Sequence, residues 1–93
     1  VIKSFRCKRT ALVFAGQAPK GFASDILAAS RRKLRMLDAA IGLDDLRIPP
    51  SNRLEPLRGD RAGLHSIRIN DQWRLCFVWQ NGAAHEVEIV DYH

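Results

Sequence analysis

The chain has 93 residues, 46% of them hydrophobic, which is enough apolar material to fill one core and not two, so one domain over residues 1–93 is expected and a second catalytic domain is not. Its 15 Lys and Arg against 10 Asp and Glu give a net charge of +5. That balance favours partners carrying phosphate or an acidic protein surface and argues against an acidic-tail or metal-cage protein.

Cys7 and Cys76 stand far apart and belong to no paired ligand spacing, so free thiols in a reducing cytosol are expected rather than a metal site. No run of about 18 apolar residues is present to span a bilayer. Residues 1–6 lack the hydrophobic segment of a signal peptide. The expectation is a cytoplasmic protein without a membrane partner.

Residues 1–5 alternate weakly and carry β-branched side chains, predicting a short first strand at a sheet edge or beside the C-terminal strand. Across 6–15, Ala11, Leu12, Phe14 and Ala15 follow helical spacing, and Gly16 suits a left-handed C-cap. Pro19 and Gly21 mark 17–23 as a connector. Ser24 is a fitting N-cap, Asp25 complements the positive helix start, and Leu27, Leu34, Leu37 and Ile41 trace the apolar stripe of a longer helix closed by Gly42. Arg31, Arg32, Lys33 and Arg35 fall largely off that stripe. The cluster reads either as a solvated face or as a surface that meets RNA phosphates.

Asp44-Asp45 and Pro49-Pro50 make 43–52 a turn followed by an extended proline segment. Residues 53–57 predict a short strand whose Pro56, lacking an amide donor, suits an edge. The polar stretch 58–63 is a loop from which Arg58 and Arg61 can reach outward. A strand over 64–69 and a tight turn at Asn70-Asp71 lead into a strand over 72–79. Trp73, Leu75, Phe77 and Trp79 share its core face; Arg74, Cys76 and Val78 take the other. Asn81-Gly82 predicts a hairpin turn. The last strand, about 84–91, places His85, Val87, Ile89 and Asp91 on one side and Glu86, Glu88, Val90 and Tyr92 on the other. Successive hairpins imply an α+β fold, two N-terminal helices packed on a small, mainly antiparallel twisted sheet.

RNA is cut without a metal ion or cofactor when its 2′-hydroxyl attacks the adjacent phosphorus. The reaction needs a base for that hydroxyl, cations for the charge on the phosphorane and an acid for the departing 5′-oxygen. Glu55 and Asp91 are candidate bases, Arg58, Arg61, Arg68 and Arg74 candidate clamps, and His93 a candidate acid or base. The bland alternatives stand beside these: Arg74 paired with Asp91 or Glu88 across strands, Glu55 a solvated edge residue, and 91–93 a frayed terminus.

The segments Asn52-Arg53-Leu54-Glu55-Pro56-Leu57-Arg58-Gly59-Asp60-Arg61, Ser66-Ile67-Arg68-Ile69-Asn70-Asp71-Gln72-Trp73-Arg74 and Val87-Glu88-Ile89-Val90-Asp91-Tyr92-His93 resemble the HigB toxin family of the RelE/ParE superfamily, also called plasmid-maintenance killer proteins. Ile2-Lys3-Ser4-Phe5 and the two-helix spacing fit the same family. The resemblance implies a toxin of a type II toxin–antitoxin system that enters the ribosomal A site and cleaves mRNA being translated. It also implies a HigA-type helix-turn-helix antitoxin that restrains the toxin, with operator DNA bound only through that antitoxin. By the same resemblance Arg74 occupies the transition-state cation position, Asp91 and His93 the C-terminal acid–base positions, and Tyr92 the aromatic that helps place the nucleotide. Arg58 stands where many members carry lysine, a forked guanidinium replacing a point charge. Glu55 stands where some members have histidine before the proline; nucleases of the related YoeB type carry Glu-Pro-Leu there with glutamate as general base. His65 takes a position often aromatic in relatives and reads as a structural strand residue.

A shared scaffold does not fix activity, so two other readings accompany this one. One is a ParE-like protein that poisons DNA gyrase by binding it. The other is a basic module that binds RNA or protein without chemistry.

Overall fold

The chain runs through α1 (Lys8–Phe14), α2 (Ser24–Ala39), two 3₁₀ turns (Leu43–Arg47 and Pro50–Asn52), β1 (Glu55–Pro56), a third 3₁₀ turn (Gly59–Arg61), β2 (His65–Arg68), β3 (Trp73–Gln80) and β4 (Ala83–Asp91). The structure, a computed structural model, describes residues 1–91. The strands lie in the order β1-β2-β3-β4, every neighbouring pair antiparallel. This is the meander the hairpin signals predict. Asn81 and Gly82 take φ values of 53° and 74°, the left-handed pair that a two-residue hairpin turn favours. At the β2–β3 connection the Asn70 side-chain oxygen accepts the backbone N–H of Gln72 and Trp73 at 2.9 and 2.8 Å, which fixes that turn.

Both helices cover one face of the sheet. Leu27, Leu34 and Leu37 from α2 and Val13 from α1 meet Ile67, Leu75, Phe77, Val87 and Ile89 in one core. A fully buried side chain of this kind stabilises the fold by about 1.5–3 kcal/mol. Leu75 and Phe77 form the floor, while Trp73 and Trp79 on the same face are partly buried around them.

Five local expectations change. The N-terminal strand is reduced to two parallel bridges on the outer edge of β4, Ile2 with Ala84 and Phe5 with Val87. In α1 the inward residues are Thr10 and Val13 instead of Ala11, Leu12, Phe14 and Ala15. The bridges stop at Phe5, so the next outward amide of β4, that of Ile89, needs an acceptor. The Thr10 hydroxyl provides it at 3.0 Å, and a polar residue therefore occupies the buried side of the helix. Ile41 lies beyond the end of α2 and is 86% exposed. Its N–H and that of Gly42 donate to the Asp45 carboxylate, and these two bonds hold the Asp45 pKa below the usual carboxylate range. Residues 43–52 wind into two 3₁₀ turns around the buried Asn52, whose amide donates to the carbonyls of Leu46 and Ile48, rather than running out as an extended proline segment.

The fifth change sets the faces of β4. Trp79 pairs with Ala84 and Val78 with His85, but Cys76 pairs with Glu88, so β4 carries one extra residue opposite Phe77. Glu86 absorbs it with a left-handed φ of 53°, its N–H donated to the Ser4 hydroxyl at 2.9 Å. Across the bulge the alternation shifts by one. Ala84, Val87 and Ile89 all turn inward, and His85 falls on the face of Val78, away from Val87 and Ile89.

Candidate active site

Cross-strand partners project to the same side of an antiparallel sheet. Glu55, Ser66, Cys76 and Glu88 therefore form one row across all four strands, and Arg68, Arg74 and Val90 a second, on the face away from the helices.

Arg74 is the centre of that face. Its Nε donates to the Ser66 hydroxyl at 2.8 Å, and its Nη2 donates to the Arg53 carbonyl at 2.7 Å and the Ser66 carbonyl at 3.4 Å. A Glu55 carboxylate oxygen lies 3.6 Å away. The Arg74 side chain is 11% exposed and that of Glu55 51%, so the cation is fixed in the sheet while the carboxylate stands at its rim. Arg53 reaches its place with a left-handed φ of 47° at the end of the second 3₁₀ turn, a conformation uncommon for a residue with a side chain. The guanidinium is thereby held before any substrate arrives, the arrangement that makes a cation effective against developing charge. Ser66 was not singled out from sequence; its period-two spacing from Arg68 is the signal that marks it for the same face.

The other predicted side chains distribute around this centre. Arg68 pairs with the carboxylate of Asp71 and lies beside Arg74 in register. Arg58 is exposed at the entry to the third 3₁₀ turn, and Arg61 at its end directs Nη1 to the Cys76 sulfur at 3.9 Å. Burial, with Glu88 beside it, pushes the Cys76 thiol pKa up against the pull of Arg61 and Arg74. Asp91 pairs with Trp73 in register and accepts a hydrogen bond from the Gln72 side chain at 3.1 Å. Strand alternation thus puts Asp91 on the side of Trp73, opposite Arg74. Tyr92 and His93 lie outside the described residues. His65 packs against the Phe77 ring at 6.2 Å between centroids and has no hydrogen-bond partner for Nδ1 among the described residues.

On α2 the four clustered cations divide into two pairs. Arg31 ties the end of α1 down, donating to the carbonyls of Val13 and Gln17, and Lys33 donates to the Asn52 side chain. Burial, then the nearby charges of Arg32 and Arg68, lower the Lys33 pKa. Arg32 and Arg35 are exposed. Among the described residues no group of three or more His, Cys, Asp and Glu is placed to hold a metal ion.

Two helices on one face of a four-stranded antiparallel sheet is a fold that this chain shares with RelE-type toxins. A chain of the YoeB–YefM complex from Staphylococcus aureus superposes with a TM-score of 0.62 at 14% identity, over 100% of this chain and 98% of that one. A YafQ mutant from E. coli superposes with a TM-score of 0.64 at 10% identity, over 98% and 93%. The family described as the RelE-like toxin of type II toxin–antitoxin system HigB matches residues 3–93, and the chain belongs to it. The Toxin HigB-1 of Vibrio cholerae serotype O1 is 54% identical over 61 residues, which are 66% of this chain and 64% of that protein's length. The Endoribonuclease HigB of Proteus vulgaris is 32% identical over 93 residues, the full length of both chains.

Proposed function

We propose that residues 1–93 form one toxin domain that cuts messenger RNA in the A site of the 70S ribosome and so stops translation. The observation that carries this reading is the Arg74 guanidinium, held by Ser66 and the Arg53 carbonyl beside the exposed Glu55 carboxylate on the open sheet face. The end-to-end match to a protein named an endoribonuclease supports it. Glu55 takes the proton of the 2′-hydroxyl as its oxygen attacks phosphorus. Arg74 neutralises the phosphorane, the P–O5′ bond breaks, and His93 returns a proton to the 5′-oxygen, leaving a 2′,3′-cyclic phosphate and a 5′-hydroxyl. Tyr92 positions the nucleotide, and Asp91 is the alternative base or a partner for His93; these three roles rest on the family resemblance of the terminal sequence. Arg58, Arg61 and Arg68 contact neighbouring phosphates. The reaction uses no cofactor, takes place in the cytoplasm, and is restrained by a HigA-type helix-turn-helix antitoxin through which alone operator DNA is bound.

Adding the purified protein to translating ribosomes and mapping mRNA ends tests the reading. New breaks confined to A-site codons, with naked mRNA cut poorly, are expected. Comparable cutting of naked and ribosome-bound mRNA would remove the ribosome dependence. Intact mRNA together with inhibited gyrase would establish the ParE-like reading instead.

The exposed pair on α2 gives a second expected result. Arg32→Ala with Arg35→Ala weakens ribosome association and flattens its dependence on salt, because fewer counterions are released, while folding is retained. Salt titration of binding measures it, and an unchanged slope returns both residues to a solvated face. Arg31 and Lys33 do not belong in that experiment, since both hold tertiary contacts.

A further inference from the structure

The Arg53 carbonyl that receives Arg74 belongs to a residue whose backbone must be held in place. Arg53 has φ 47° and ψ 54°, and a residue with a Cβ stays in that left-handed well only where its surroundings over-determine it. Its N–H donates to the Pro50 carbonyl at 3.1 Å, which closes the second 3₁₀ turn. Glu55 follows two residues later on β1. One piece of backbone therefore sets both groups: the Arg74 guanidinium is bound to the Arg53 carbonyl, and the Glu55 carboxylate, 3.6 Å from it, stands on the strand that leaves Arg53.

The residue before Arg53 is Asn52, which is 0% exposed. Its backbone N–H donates to the Pro49 carbonyl at 2.9 Å. Its Nδ2 donates to the carbonyls of Leu46 and Ile48 at 3.1 and 3.4 Å and lies 3.0 Å from the Met36 sulfur. Its Oδ1 accepts a hydrogen bond from Lys33 Nζ on α2. Carbonyls only accept and an ammonium only donates, so these partners admit one orientation of the amide. A flipped amide would turn Oδ1 onto two carbonyls and Nδ2 onto the ammonium. Lys33 thus selects the way Asn52 faces, and Asn52 gathers α2 and both 3₁₀ turns around the start of Arg53. The basic residue that the sequence offers as an RNA contact spends its charge inside the protein.

We infer that Asn52, oriented by Lys33, is a positioning residue for the open face: it holds Arg53 in the conformation that presents its carbonyl to Arg74 and starts β1 at the right place for Glu55. The inference rests on the nuclease reading for its consequence in the reaction, while the placement of Arg74 is measurable without cleavage. Lys33→Met is the informative change, because methionine keeps the unbranched stem and the helix propensity and removes only the ammonium. Misplacement of a reacting group from a distance lowers the rate on the order of 10- to 100-fold.

Two measurements test it separately. In NMR spectra of the whole chain, the Arg74 Nε–H, donated to the Ser66 hydroxyl, exchanges slowly with water in the wild type and faster in Lys33→Met. Lys33→Arg, which again offers only donors to Oδ1, restores slow exchange. Unchanged exchange in Lys33→Met overturns the inference whatever the cleavage assay gives. Faster exchange in a protein that cuts no mRNA supports the link from Lys33 to Arg74 and overturns the nuclease. In single-turnover cleavage at saturating ribosomes, Lys33→Met lowers the rate by the factor above in the wild-type background and by little in the Arg74→Ala background, where no guanidinium is left to place. Asn52→Asp, of the same shape but without donors for the Leu46 and Ile48 carbonyls, behaves as Lys33→Met does. An equal loss in both backgrounds, or a loss that vanishes once ribosomes saturate, overturns the inference and leaves the nuclease standing.

Discussion

Glu55→Gln lowers single-turnover cleavage on ribosomes by ~10²–10⁴, the range for loss of a positioned proton-transfer group. The substitution keeps the side chain's size and its place on β1, so folding and ribosome binding are retained, and only the capacity to accept the 2′-hydroxyl proton goes. The pH profile separates this from lost electrostatics. With Glu55 as base and His93 as acid, Glu55→Gln removes the acidic limb and His93→Gln the alkaline limb. The geometry gives this residue an advantage over Asp91, because Glu55 is 3.6 Å from Arg74 on the open face while Asp91 pairs with Trp73 on the other side of the sheet. Wild-type rate and profile in Glu55→Gln would reduce Glu55 to an edge residue and make Asp91 the preferred base. A rate loss with both limbs intact would mean that Glu55 acts only by orienting Arg74.

The position of Asp91 shows what local patterns convey and what they leave out. The hairpin turn at Asn81-Gly82 was legible, and so was the inward face of Leu75 and Phe77, because both depend on residues close in sequence. The bulge depends on Ser4, 82 residues away from Glu86, and no local pattern contains that contact. A trace of it was nevertheless present. Counting back from the turn places Ala84 beside Trp79 and hence inward, while the apolar Val87 and Ile89 must also be inward. An odd spacing between inward positions requires one extra residue. Reading the last strand as unbroken alternation missed this conflict, and so put His85 on the side of Val87 and Ile89. The N-terminal helix failed for a similar reason: Thr10 is buried to satisfy the Ile89 amide 79 residues away, a demand of the sheet edge rather than of helical spacing. In α2 the apolar stripe of Leu27, Leu34 and Leu37 was readable, but the different tasks of Arg31 and Arg32 were not, since they depend on where α1 ends.

Arg74 was legible as a cation on the open face by period-two counting; what fixes it there was not. Three of its contacts come from Ser66, from the Arg53 carbonyl and from Glu55, on the neighbouring strands and the turn before them. Arg74→Ala therefore costs on the order of 10²–10³ in cleavage rate, as for removal of one preorganised donor to a developing oxyanion. Both limbs of the pH profile remain, because no proton-transfer group is lost. Arg74→Lys distinguishes charge from geometry. An ammonium restores the positive charge but cannot reproduce the planar fork that spans Ser66 and the Arg53 carbonyl. A lysine variant as slow as the alanine variant shows that fixed orientation matters; recovery to near the wild-type rate shows that charge alone suffices. Thermal unfolding of both variants must accompany the kinetics, since removing the guanidinium also leaves the buried Ser66 hydroxyl without its donor. A variant that binds ribosomes, melts near the wild-type temperature and still cuts mRNA at the wild-type rate would take Arg74 out of the chemistry.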